Sequence, residues 1–232
     1  MESMVKKYQQ KFRKVKEEMG RWEELQSRLI SQFTSASAII QRLQLLQDPK
    51  KYGALECVQG IQDAVLAKQL ESLQTIMLSM NMTLFLCSLK FHFMGAVDLK
   101  NSFSTSRTRV SAIGYPMEDF RGVSSSLEKV VRDGRQLVKG GSTVATAKQL
   151  QQRVGIKPSL ADCLEGLRLL SEMHHSEYLL KSSVISALAK VSLTPSASDD
   201  LNALQQLLVD QPNIPREEVQ GIFDIIFAED IT

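Results

Sequence analysis

Cysteine is scarce in this chain: the three, Cys57, Cys87 and Cys163, lie far apart and form no close pair. An odd, scattered set excludes a disulfide framework and suits reduced thiols in a cytosolic or nuclear protein. Histidines also number three. The adjacent pair His174 and His175 has Glu172 and Glu177 nearby, but neighbours on a helix point about 100° apart and do not meet one ion, so no metal or other cofactor is expected. Long apolar runs are missing too. The longest, Leu84 to Val97, contains Lys90 and His92 and is too short and too polar to span a bilayer. The start, MESMVKKYQQKFRKVKEE, lacks the apolar stretch of a secretory signal. Charge of one sign is not in excess, since Lys and Arg exceed Asp and Glu by only +2, so no global field draws the chain to nucleic acid or membrane. Alternating apolar residues that would hold a strand are absent, as is any repeat of about 20–50 residues. The reading at this point is an intracellular, soluble, all-α protein.

Signals for chemistry are equally thin. No serine sits in a nucleophile elbow, and the carboxylates are scattered along helical surfaces. Gly140, Gly141, Ser142 and Thr143 faintly resemble a phosphate loop, yet the lysine that such a loop needs is absent and no strand precedes it. A helix-ending loop is the plainer reading. No enzymatic activity is expected.

What the sequence does hold is apolar periodicity. Val5, Tyr8, Phe12, Val15, Met19, Trp22, Leu29, Phe33, Ala36, Ile40 and Leu43 recur at steps of three and four, with one gap of seven between Trp22 and Leu29, the seam of a coiled coil lasting roughly 60 Å at about 1.5 Å per residue. Gln26 and Gln47 take a positions, and a buried amide there fixes register or partner choice. Trp22, Leu25, Gln26, Leu29, Phe33 and Ile40 are the candidate partner-binding residues, because buried anchors at the centre of a seam dominate helix docking. An amphipathic helix inside an ordinary bundle would show nearly the same stripe.

The fold expected is a long antiparallel coiled-coil hairpin over residues 1–139, a linker over 140–157, and a small helical bundle over 158–232. The first helix should end near Gln47, before Asp48 and Pro49. A turn of about six residues then leads to a second helix marked by Val58, Ile61, Val65, Leu70, Leu73, Met77 and Met80. Residues 84–116 break the pattern, holding four of the nine phenylalanines, and look like an insertion. With them removed, the heptad runs without a phase break from Leu73, Met77 and Met80 to Met117, Phe120, Ser124, Leu127 and Val131. A spliced-in or unspliced coding stretch is the expected origin, and a genuine loop with its own hairpin is the alternative. Pro158 and Ser159 open a third long helix, with Ser159 and Asp162 spaced as a capping box. A short helix carrying Leu201, Leu204, Leu207 and Leu208 follows, then a last one with Pro215 at its first position and Val219, Ile222, Phe223, Ile226 and Phe227 as its packing side.

Two weaker patterns remain. Lys129, Arg132, Arg135 and Lys139 form a basic stripe that could touch RNA phosphates but is more simply a solvated face. Ser125, Ser196 and Ser198 precede acidic residues, the pattern that acidic-directed kinases select.

The stretch KPSLADCLEGLRLLSEMHHSEYLLKSSVISAL, the tail EEVQGIFDIIFAED and the preceding hairpin with AKQLESL together resemble the AIRIM family of AAA-ATPase-interacting ribosome maturation factors, also catalogued as casein kinase two substrates. Pro158, Ser159, Ala161, Asp162, Leu164 and Glu165, then Tyr178, Leu179 and Leu180, carry the resemblance, and residues 84–116 have no counterpart in it. The resemblance implies a non-enzymatic adaptor that pairs with a CINP-like coiled-coil protein on an AFG-type, Cdc48-like AAA ATPase. It further implies action in large ribosomal subunit maturation and in protein turnover at replication forks, in nucleus and cytoplasm. Pre-ribosomal particles would be engaged indirectly, without membrane and without direct contact to nucleic acid. A self-associating coiled-coil scaffold and an RNA-binding factor using the basic stripe are the rival readings.

Overall fold

A computed structural model describes residues 2–80, 116–139, 150–153, 155–191 and 197–228. All regular structure among them is helical: α1 (Glu2–Leu46), a 3-10 segment (Pro49–Cys57), α2 (Ile61–Ser79), α3 (Pro116–Lys139), α4 (Leu160–Val191), α5 (Ala197–Asp210) and α6 (Arg216–Ile226). The all-α class read from periodicity is the class observed.

The boundaries follow from local chemistry. Helix α1 stops at Leu46, where Asp48 takes the cap of the next element, its carboxylate accepting from the Lys50 backbone N–H at 3.1 Å, with Pro49 behind it. The connection to α2 is longer than the expected turn of six residues. Gly53 (φ 51°) kinks the 3-10 segment, and Gly60 (φ 76°) turns the chain into α2, both in the left-handed region where a side chain is strained. Val58, expected on the packed side of the second helix, lies outside it and is exposed. At α4 the capping box forms as its spacing predicts. Ser159 N–H donates to Asp162 Oδ2 and Asp162 N–H to Ser159 Oγ, each at 3.0 Å. Pro215 caps α6 from outside instead of occupying its first position.

The chain divides into two compact units. The first comprises residues 1–25, 120–180 and 211–232. In it, α1 and α3 are joined by Tyr8 Oη to the Gly134 carbonyl at 2.7 Å and by Ser126 Oγ to Glu18 at 2.7 Å. Low numbers on one helix meet high numbers on the other, the order an antiparallel pair requires. Close approach is possible because two helical positions lack a side chain: a Cβ on Gly134 would lie 3.1 Å from Leu167, and one on Gly166 2.9 Å from Ile222 and 3.1 Å from Phe12. Trp22 fills the same core, edge-on to Phe120 and His174, its indole N–H donating to Gln211 Oε1 at 2.7 Å.

The second unit comprises residues 26–119 and 181–210. Here Gln62 bonds the Leu46 carbonyl, Arg42 bonds Gln69, Gln32 bonds Ser79, and Arg28 pairs with Asp119 at 3.0 Å. The order is again antiparallel. Ser79 and Asp119, on either side of the expected insertion, thus address neighbouring turns of α1 at Gln32 and Arg28. Residues 84–115 of that segment lie outside the described residues.

Candidate functional site

The seam residues offered for partner capture are core. Trp22, Leu25, Gln26, Leu29, Phe33 and Ile40 are all buried within the chain. Leu29, Phe33 and Ile40 are wholly inaccessible, and Gln26 donates its amide to the Leu208 carbonyl. The physical reason is plain: burial of an apolar stripe is favourable whoever supplies the cover, and here α1 is covered by the chain's own helices. The structure therefore displays none of the six as an open docking surface.

Side chains of mixed charge converge in the first unit instead, in a cleft of about 260 Å³ between α3 and α4. Glu128, Val131, Arg132 and Arg135 come from α3, and Arg168, Ser171, Glu172 and His175 from α4. Each set recurs at three- and four-residue steps, so one face of each helix is presented. Arg168 is held by two carboxylates: its Nε donates to Glu165 Oε2 at 2.9 Å, and Nη1 reaches Glu172. These bonds hold the guanidinium charged more firmly than usual, and Arg168 in turn keeps the Glu165 carboxyl below the ordinary range. Arg132 lies 3.6 Å from Glu128.

Ser124, His175 and Glu128 meet beside this cleft, a trio that sequence spacing did not reveal because it joins two helices. Ser124 Oγ is 3.2 Å from His175 Nδ1, and Glu128 Oε1 is 3.6 Å from the same nitrogen. A serine relay needs its hydroxyl on one ring nitrogen and its carboxylate on the other. Both contacts here fall on Nδ1, so the trio is not wired to activate the serine. Among the described residues, no group of three or more His, Cys, Asp or Glu is placed to hold a metal ion, and no described helix is long and apolar enough to cross a membrane.

The motif that carried the family resemblance is structural at its start. Pro158 and Ser159 are buried, Ala161, Asp162 and Leu164 are half-buried, and Ser159 with Asp162 forms the cap. Burial alone would raise the Asp162 carboxyl, but hydrogen bonds from Ser159 and the charge and bond of Arg153 outweigh it and hold it below its ordinary value. Cys163, one residue on, is buried, and that burial, with the Asp162 charge, pushes its thiol up to about 12. Such a thiol is unreactive. Further along, Glu165 and Leu179 are exposed and Tyr178 and Leu180 half-buried. Of the kinase candidates, Ser125 is exposed within α3, Ser198 is exposed in the first turn of α5, and Ser196 lies outside the described residues. Lys129, Arg132, Arg135 and Lys139 are all exposed.

An all-helical protein with a buried apolar core and an ion-paired cleft is the class the described residues define. The chain belongs to the CA109-like family, ribosome biogenesis protein C1orf109-like, whose model matches residues 2–89 and 106–231. The match confirms the AIRIM resemblance and a place in ribosome biogenesis. It is interrupted only over 90–105, inside the 84–116 segment expected to lack a counterpart, so that segment's two ends do belong to the family pattern. A comparison with curated proteins gives no match.

Proposed function

We propose that this chain is a non-enzymatic adaptor subunit of an AFG-type AAA ATPase assembly, working beside a CINP-like coiled-coil protein in maturation of the large ribosomal subunit and in protein turnover at replication forks. Its places of action are the nucleus and cytoplasm, and nucleotide hydrolysis belongs to the ATPase. Ser198, exposed and followed by Asp199 and Asp200, is the phosphorylation site this reading favours.

The observation that carries it is the completion of the α1 core by the chain's own helices. A pre-folded helical body suits an adaptor, since little ordering entropy is left to oppose docking. The same observation counts against a self-associating scaffold, which would need the buried seam for its second copy. Affinity purification of the full chain followed by mass spectrometry tests the proposal. Recovery of an AFG-type ATPase together with a CINP-like protein supports it, whereas recovery of the chain's own copies alone returns the scaffold reading.

A further inference from the structure

The first four turns of α1 break the charge rules that stabilise an isolated helix. Six cations, Lys6, Lys7, Lys11, Arg13, Lys14 and Lys16, fall between positions 6 and 16 with no acidic residue among them, a local excess three times that of the whole chain. Five are exposed and Lys11 is half-buried. Lys7 and Lys11 are four apart, while Lys11 and Lys14, and Arg13 and Lys16, are three apart, so like charges adjoin on the helix surface, where they repel. Lys6 and Lys7 also sit near the positive end of the helix dipole. Apart from Lys6, none of the six has an ion pair or hydrogen bond among the described residues. For the other five, a local rule broken without a partner among the described residues points to compensation from outside the fold.

We infer that this face of α1 binds the phosphate backbone of RNA. Three features favour that occupant over other polyanions. The apolar residues of the stretch, Val5, Tyr8, Phe12 and Val15, are all buried, which leaves nothing to insert into a bilayer. For the same reason the face lacks the apolar anchors around which protein interfaces are built. At 100° per residue the six cations spread over the whole solvent side of the helix within about 15 Å of axis, a geometry that tracks a charged backbone and reads no sequence. Membership of a ribosome biogenesis family makes RNA the polyanion at hand. The inference goes beyond the adaptor reading and holds whichever ATPase is engaged.

Fluorescence anisotropy of the full chain with a short fluorescein-labelled RNA duplex of mixed sequence, titrated across salt concentrations, tests it. Wild-type binding should weaken steeply with salt, by roughly 0.9 in log–log slope for each phosphate contacted. A Lys7→Gln, Lys11→Gln, Lys14→Gln variant should lose roughly 2 to 3 of that slope and bind at least about tenfold more weakly at low salt. Its helical circular dichroism should equal or exceed the wild type's, because removing like-charge neighbours relieves the helix. Absence of RNA binding at low salt, or equal binding by the triple variant, overturns the inference. So does tighter binding to a DNA duplex of the same sequence, to a polyglutamate peptide or to phosphatidylserine vesicles than to the RNA.

Discussion

Glycine shows how one residue type takes opposite roles at different depths. At Gly166 an added Cβ would come within 2.9 Å of Ile222 and 3.1 Å of Phe12. Gly166→Ala should therefore destabilise the protein by about 1–3 kcal/mol despite alanine's better helix propensity. At Gly20, exposed on α1 with open space around it, the same change should stabilise by about 0.5–1 kcal/mol. Urea melts of the two variants are expected to shift in opposite directions. Leu29 and Phe33, wholly buried, make a sharper case. Replacing both with Asp places charge where nothing pairs it, at a cost of several kcal/mol, and should abolish the cooperative thermal transition itself. Loss of binding in that variant would thus report unfolding. Gln74 is buried, and neither polar atom of its side chain has a partner among the described residues. Gln74→Leu should be neutral or stabilising by about 1 kcal/mol, and clear destabilisation would reveal a partner for the amide.

Among the elements, the start of α4 offers the clearest pH prediction. The Asp162 carboxyl is depressed in the folded state, so its stabilising contribution is complete above the unfolded value of about 3.9 and is lost as pH falls through the lower folded value. Asp162→Asn should cost about 0.5–2 kcal/mol at neutral pH, and the difference from wild type should shrink in melts taken at progressively acid pH. This cap was legible in sequence because it is local: a serine, an acid three residues on, and an apolar run. Helices α1 to α6 were legible for the same reason, through their period. The connection from Leu46 to Ile61 was not, since a 3-10 segment bent at a left-handed Gly53 leaves no periodic trace. Nor was the cover of the α1 seam, because a stripe states that a face is buried and is silent on what buries it. The cleft joins Glu128 to His175 across two helices, and no spacing rule links such distant positions. The basic run at the start of α1 stood in plain view, but a net charge of +2 concealed it within the average.

At the scale of the whole molecule, the chain fills the apolar seam of α1 with its own helices. The proposed adaptor role, the inferred RNA-binding face and the expected instability of Leu29 and Phe33 variants all depend on that core being complete before any partner arrives. The single tryptophan lies in it: Trp22 is 1% exposed and packed by Phe120 and His174. Acrylamide quenching of Trp22 fluorescence in the isolated chain, followed over a dilution series, is the most direct measurement. A blue-shifted emission, poorly quenched and unchanged on dilution, is the predicted result. Emission at the wavelength of a solvated indole, or shielding that disappears as the protein is diluted, would contradict it, because the seam would then be open or covered only by a second copy.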